Sequence, residues 1–340
     1  MFSTFSVALA AILSIFCIVG VGILLRRIDW LTHEAEQPLL RLTVNLLLPC
    51  LIFDRVLKTD AFSDPQNLWL PPLLGFGLVA VGMLFGLCVC LLSAKLNGME
   101  TWKQRRTFIT CVGNYNYGFV PIPLVIFMFP YDDRLLGVLF IQSLGVEIAV
   151  WTILLFTLMG KIDKKSLRRL INGPNIAIVL SVSLNLLGNS RFVPAAFHEH
   201  VAPCFDFLLL AIHLLGAAGI PLSILMIGAI FADHFRWVDI QKRLPSTLKI
   251  SFWSILIRLA IMPAIFISLA VWLPVTVEIK TILIIHGAMG SAIFPMVLAK
   301  HYGGDPKTAF DTILSNSLLS VLTLPLWITI GLSLIYAGNG

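Results

Sequence analysis

Two short stretches hold most of the residues able to do chemistry. Cys111 to Pro123 reads CVGNYNYGFVPIP, with Asn114, Tyr115, Asn116 and Tyr117 enclosed by Gly113, Gly118, Pro121 and Pro123. Ile285 to Pro295 reads IHGAMGSAIFP, with His286 and Ser291 among Gly287, Gly290 and Pro295. Proline removes a backbone donor and crowds the preceding turn, so both stretches predict a broken helix. A helix that restarts after such a break presents unpaired N–H groups and the positive end of its dipole, which together bind anions. The expected ligand set is therefore Asn114, Asn116, Tyr117, Gly118 and Pro123 from the first break, with His286, Gly290, Ser291 and Pro295 from the second. The ligand that this chemistry favours is an anion.

The elements that must carry these breaks are membrane helices. Of the 340 residues 58% are hydrophobic and only 12% charged, with a mean hydropathy of +0.93; a soluble chain needs roughly 25% charged residues to coat its surface. The apolar residues fall into ten runs, each near the roughly 20 residues that cross a bilayer. They are Phe5 to Leu25, Leu39 to Leu57, Leu68 to Ala94, Phe108 to Phe129, Leu135 to Met159, Pro174 to Leu187, Phe205 to Ala232, Ile250 to Leu273, Thr281 to Ala299 and Ala309 to Tyr336. Met1 to Thr4 carries no basic residue and the first run is long, so it reads as a span rather than a cleaved leader. Six cysteines, Cys17, Cys50, Cys88, Cys90, Cys111 and Cys204, form no CxxC pair and predict neither a zinc site nor a disulfide framework.

Of the 24 Lys and Arg residues, 18 fall in the loops after odd-numbered spans or at the span ends that adjoin them (Arg41) and 5 in those after even-numbered ones (Arg55 at a span end), with Arg258 deeper inside a span. Positive charge marks the cytoplasmic side, so both termini are expected outside, in the cell (inner) membrane. The net charge of +6 then reports orientation rather than nucleic-acid binding. Lipid is the expected environment, and a homodimer is compatible with the pattern.

An offset of 172 superimposes Pro49 on Pro221, Gly118 on Gly290, Pro123 on Pro295 and Val125 on Val297. These are helix-perturbing residues of corresponding spans. Two units of five spans, 1–160 and 161–340, must enter the membrane from opposite sides, the inverted repeat of many secondary transporters. The predicted fold is thus an all-α polytopic membrane protein of ten transmembrane helices, two inverted five-helix repeats with helices 4 and 9 broken. Unwound backbone at membrane depth is tolerated only where protein or a water-filled cavity satisfies it. The bland alternative is a pair of kinked helices whose polar residues satisfy one another.

At these residues the sequence resembles the auxin efflux carrier family, which includes plant exporters and bacterial malonate- and malate-type carriers. The resemblance runs through NLLLPCLIF (Asn45 to Phe53), GNYNYGFVPIPL (Gly113 to Leu124), GPN (Gly173 to Asn175), GIPLSILMIGA (Gly219 to Ala229), FPMVLAKHYGGD (Phe294 to Asp305) and LLSVLTLPLW (Leu318 to Trp327). It implies a scaffold of helices 1, 2, 6 and 7 and a transport domain of helices 3–5 and 8–10. Its crossover corresponds to Asn116 to Pro123 and Gly290 to Pro295, with Asn116 at the asparagine that contacts substrate. Glu147 falls where plant members tend to carry glutamine. The long cytoplasmic loop of many plant exporters is absent, and the third span lacks the acidic and basic residues associated with auxin, which favours the small organic anions of the bacterial branch.

Charged groups within spans are costly and mark function or pairing. Glu147 and His286 are the candidate coupling residues, since a carboxylate and an imidazole both exchange protons; structural hydrogen bonding is the competing role for each. Arg258 is expected to snorkel or to pair within the protein. His213 is expected to pack in the scaffold, and Asp311 and Ser315 share one face of the tenth helix. No cofactor and no metal are expected, and H+ coupling, Na+ coupling and uniport driven by the membrane potential are all open. The expected function is a secondary active organic-anion transporter of the elevator type and not an enzyme, because no HExxH or nucleophile motif occurs in a suitable context. A non-transporting ligand sensor, a passive channel and an auxin-like aromatic acid exporter are the alternatives.

Overall fold

The computed structural model describes residues 2–130, 132–160, 167–188, 206–236 and 244–337. Cys204 and the basic residues Lys161, Lys164, Lys165, Arg191, Lys242 and Arg243, used above in the cysteine and charge readings, lie outside them. Nearly everything described is helical. Among the described residues six helices are long and apolar enough to cross a bilayer: Phe5–Arg27, Gln66–Cys90, Asp133–Met159, Asp206–Asp233, Thr247–Trp272 and Pro306–Tyr336. These are the expected spans 1, 3, 5, 7, 8 and 10, and they define a polytopic α-helical membrane protein.

The other four expected spans are helical but differ in kind. The second is His33–Leu42, a π turn Thr43–Leu47 and Leu48–Lys58, with Glu34, Glu36 and Arg41 at one end and Arg55 and Lys58 at the other. The fourth divides into Trp102–Gly113 and Pro121–Met128, and the ninth into Val277–Ala288 and Phe294–His301. The sixth, Gly173–Gly188, has only 16 residues. Two further π turns, Val150–Leu154 and Leu256–Ile261, interrupt the fifth and eighth helices. The latter precedes Pro263, which lacks the N–H that would ordinarily take the carbonyl of Leu259. The indole of Trp327 in the tenth helix donates to that carbonyl instead, at 2.8 Å. A donor from a neighbouring helix thus makes the proline tolerable in an apolar environment.

Packing follows the small residues, because helices in lipid associate through close backbone approach rather than through hydrophobic exclusion. The first helix runs along the seventh, and the second packs on the sixth and seventh. A Cβ on Gly22 would stand 2.2 Å from the carbonyl oxygen of Leu225, and one on Gly228 2.2 Å from that of Val19. The third helix packs on the fifth in the same manner, with a Cβ on Gly145 meeting the Pro72 oxygen at 1.8 Å. Polar pins add direction to this packing. Asn185 of the sixth helix donates to the carbonyls of Val56, Leu57 and Thr59 where the second helix ends, at 3.2, 2.9 and 2.7 Å. His213 Nδ1 lies 2.8 Å from Asp54 Oδ2, joining the seventh helix to the second. Arg26 of the first helix reaches Glu36 of the second and, at 2.9 Å, Asp233 of the seventh. Asp60, outside the spans, accepts from Arg134 at the start of the fifth helix at 2.5 Å, which holds its carboxyl below the usual carboxylate range.

Replacing Gly228 by Leu forces the first and seventh helices apart. Overpacking of this kind costs at least about 1–3 kcal/mol, so Gly228→Leu is expected to lose the monodisperse peak in detergent size-exclusion chromatography. Gly20→Ala, where a Cβ meets nothing within 4 Å, is expected to elute as the wild type does.

Candidate functional site

The two helix breaks meet. Helix Trp102–Gly113 ends at Asn114, whose φ of −92° and ψ of 107° are extended, and helix Val277–Ala288 ends at Met289, with φ −70° and ψ 139°. The extended segments pair as an antiparallel bridge, Tyr115 against Ser291. The N–H of Asn116 donates to the Gly290 carbonyl at 3.0 Å and that of Ala292 to the Asn114 carbonyl at 2.9 Å. Backbone groups freed by each break are therefore answered by the other, as burial requires. Prolines then open each second half: Pro121 and Pro123 in Pro121–Met128, and Pro295 in Phe294–His301. Proline suits the first turn because the N–H it lacks would have been unpaired there anyway.

Both second halves begin at a cavity of about 240 Å³. Asn116, Gly118, Phe119 and Ile122 of one break and Ala292, Ile293 and Phe294 of the other form one side, together with Leu139, Phe140, Ser143 and Glu147 of the fifth helix. Val44, Leu48 and Ile52 of the second helix, Pro174, Asn175 and Ile178 of the sixth, and Ile220 and Ser223 of the seventh face them. Two helix N-termini at one small cavity supply positive potential, while the remaining walls are mostly apolar. Glu147 is the one charged side chain among the lining residues. Its carboxylate accepts from the Tyr117 hydroxyl at 2.6 Å and from the Trp151 indole at 2.8 Å. Trp151 in turn lies beneath the guanidinium of Arg169, 5.3 Å from the ring centroid.

The cavity brings together Asn116, Tyr117, Gly118, Pro123 and Glu147 of the residues singled out by sequence. It does not include Asn114, His286, Gly290, Ser291 or Pro295. Asn114 and His286, equivalent under the 172-residue offset, are both fully buried. They belong to a layer behind the bridge, in which the Tyr115 ring contacts His286 and Phe266 with centroids 5.2 and 5.5 Å apart. Gln142 of the fifth helix donates to the Tyr115 hydroxyl at 3.3 Å. Asn316 of the tenth helix donates to Ser291 at 2.8 Å and to Ser254 of the eighth at 2.7 Å. Arg258 does not snorkel: it is 0% exposed and donates from Nη2 to the Met289 carbonyl at 2.7 Å. Ser143 and Ser223 were missed by sequence reasoning. Single serines in apolar spans carry no local signal; for Asn175 the GPN motif was visible but its place at the cavity was not.

A cavity at the meeting point of two broken helices, within a polytopic helical bundle, defines a membrane transporter. Comparison with known families agrees: the family model described as membrane transport protein matches residues 7–167 and again 157–328. The chain belongs to this family, that of the auxin efflux carriers. It is also similar to an uncharacterized transporter of Methanothermobacter thermautotrophicus, 22% identical over 317 residues that cover 93% of this chain and 96% of that protein.

Removing either donor to Glu147 leaves a half-buried carboxylate short of a partner, at a cost of about 1–3 kcal/mol. Tyr117→Phe and Trp151→Phe are each expected to lower the midpoint of heat denaturation in detergent. Unchanged midpoints in both would show that the two hydrogen bonds do not hold the carboxylate.

Proposed function

We propose that the protein is a secondary active transporter of an organic anion. The observation that carries this reading is the convergence of two half-helix N-termini on one small cavity. Their positive ends attract the carboxylate, with Asn116 and Ser143 as hydrogen-bonding groups. The apolar wall formed by Val44, Leu48, Ile52, Ile178 and Ile220 offers a second carboxylate no partner, which favours a monocarboxylate with an apolar body over a compact dicarboxylate. An auxin-like aromatic acid fits that description as well as an aliphatic acid does.

Transport proceeds by an elevator movement in which helices 3–5 and 8–10, from the two inverted repeats 1–160 and 161–340, shift against helices 1, 2, 6 and 7. The position of the cavity between these two sets of helices supports it. Proton coupling follows from electrostatics. An anion and an ionised Glu147 in one cavity repel each other, and at low dielectric the repulsion is large, so the anion enters with a proton on Glu147 and leaves with it.

The test is counterflow of labelled malonate, malate, lactate and indole-3-acetate in proteoliposomes, with and without imposed proton or sodium gradients. Saturable exchange faster for the more apolar acid, and driven by a proton gradient, is expected. Asn116→Ala should raise the KM for exchange at least about tenfold, the loss of one hydrogen bond to a charged group, without reducing expression. Glu147→Gln should retain exchange but lose its acceleration by the proton gradient. Binding without flux in the wild type would turn the reading to a ligand sensor.

A further inference from the structure

Arg258 is the largest fully buried side chain of the protein's described residues. No carboxylate pairs with it among them. A buried, unneutralised guanidinium is costly, so its position calls for a reason. Two contacts supply one. Nη2 donates to the carbonyl of Met289, the first residue beyond helix Val277–Ala288, and the guanidinium carbon lies 5.5 Å from the centroid of the Tyr115 ring. Met289 belongs to the break in the ninth helix and Tyr115 to the break in the fourth. Arg258 therefore touches both halves of the crossover from behind, while the cavity lies in front.

The π turn Leu256–Ile261, in which Arg258 sits, shifts the register of the eighth helix at the level of the crossover. The carbonyl it meets is the negative end of a half-helix, where cations are favoured. A half-helix C-terminus in carriers of this architecture is also where a coupling cation is coordinated by unwound carbonyls; here a tethered guanidinium holds that place. Its Nε and Nη1 find no hydrogen-bond partner among the described residues, and with no ion pair there to neutralise it, its field extends through low-dielectric protein toward the cavity.

We infer that Arg258 is the built-in cation of the crossover, a positioning residue that fixes the two breaks to each other and biases the cavity toward anions. The inference rests on the organic-anion reading above and adds the residue that sets its charge preference. A unit charge about 10 Å away in an effective dielectric of about 20 changes the affinity for an anion on the order of tenfold. It leaves an uncharged ligand of the same shape almost unaffected.

The experiment compares indole-3-acetate with its uncharged amide, indole-3-acetamide, in purified wild type, Arg258→Gln, Arg258→Met and Arg258→Lys. Binding is read by thermal shift in detergent and exchange by counterflow in proteoliposomes. The expected wild-type preference for the acid falls about tenfold in Arg258→Gln, which removes the charge and keeps a polar amide, and returns in Arg258→Lys. Equal losses of acid and amide affinity in Arg258→Gln, or an unchanged preference, would overturn the inference and leave Arg258 a packing residue. Should Arg258→Met fail to fold, the Gln and Lys variants carry the same comparison. Wild-type protein that prefers the acid without exchanging it refutes the transport reading and leaves the role of Arg258 standing. Wild-type protein without any preference for the acid refutes the role of Arg258 whatever the flux.

Discussion

The fold depends on one constraint: a helix interrupted at membrane depth must find partners for the peptide groups it releases. The protein answers by placing two interruptions face to face, so that Asn116 N–H and the Gly290 carbonyl, and Ala292 N–H and the Asn114 carbonyl, satisfy each other. Neither break would be affordable alone. The pairing fixes the fourth and ninth helices to one another and brings two helix N-termini to the same cavity. The meeting of the helix N-termini and the satisfaction of the freed backbone thus follow from the same two hydrogen bonds.

Around that bridge the structure is layered by polarity. In front lies a cavity with few polar groups, of which Glu147 alone carries charge. Behind lies a polar layer that does not line the cavity, built from Gln142, Ser254, Arg258, His286 and Asn316 on four different helices. The rear layer holds the bridge in shape, since Asn316 bonds Ser291, Gln142 bonds Tyr115, and Arg258 bonds the Met289 carbonyl. Hydrogen-bonded networks of this kind are worth more in a low-dielectric interior than in water.

How much of this was legible in the sequence varies from residue to residue. Gly118, Pro121, Pro123, Gly290 and Pro295 announced the breaks, because their backbone preferences act locally, and the 172-residue offset paired the breaks before any contact was visible. The side of the bridge on which a residue falls was not legible. Asn114 and Asn116 are two positions apart in an extended segment, where side chains flanking one residue point the same way, yet Asn116 lines the cavity and Asn114 does not; the bend toward Pro121 decides it. The three π turns were equally hidden, since hydropathy does not register one extra residue in a helical turn. For Arg258 the sequence left snorkelling and pairing within the protein both open, because the partner it found is a carbonyl, and carbonyls leave no trace in side-chain patterns.

The bond between Trp327 and the Leu259 carbonyl makes two positions historically contingent on each other. If Pro263 is replaced first, the chain regains an N–H for that carbonyl, and the indole becomes dispensable. If Trp327 is replaced first, the carbonyl is stranded in an apolar surround with no donor of its own. The two substitutions reach the same end point, but only one order of events passes through a stable intermediate, so descendants of this sequence are expected to lose the proline before the tryptophan.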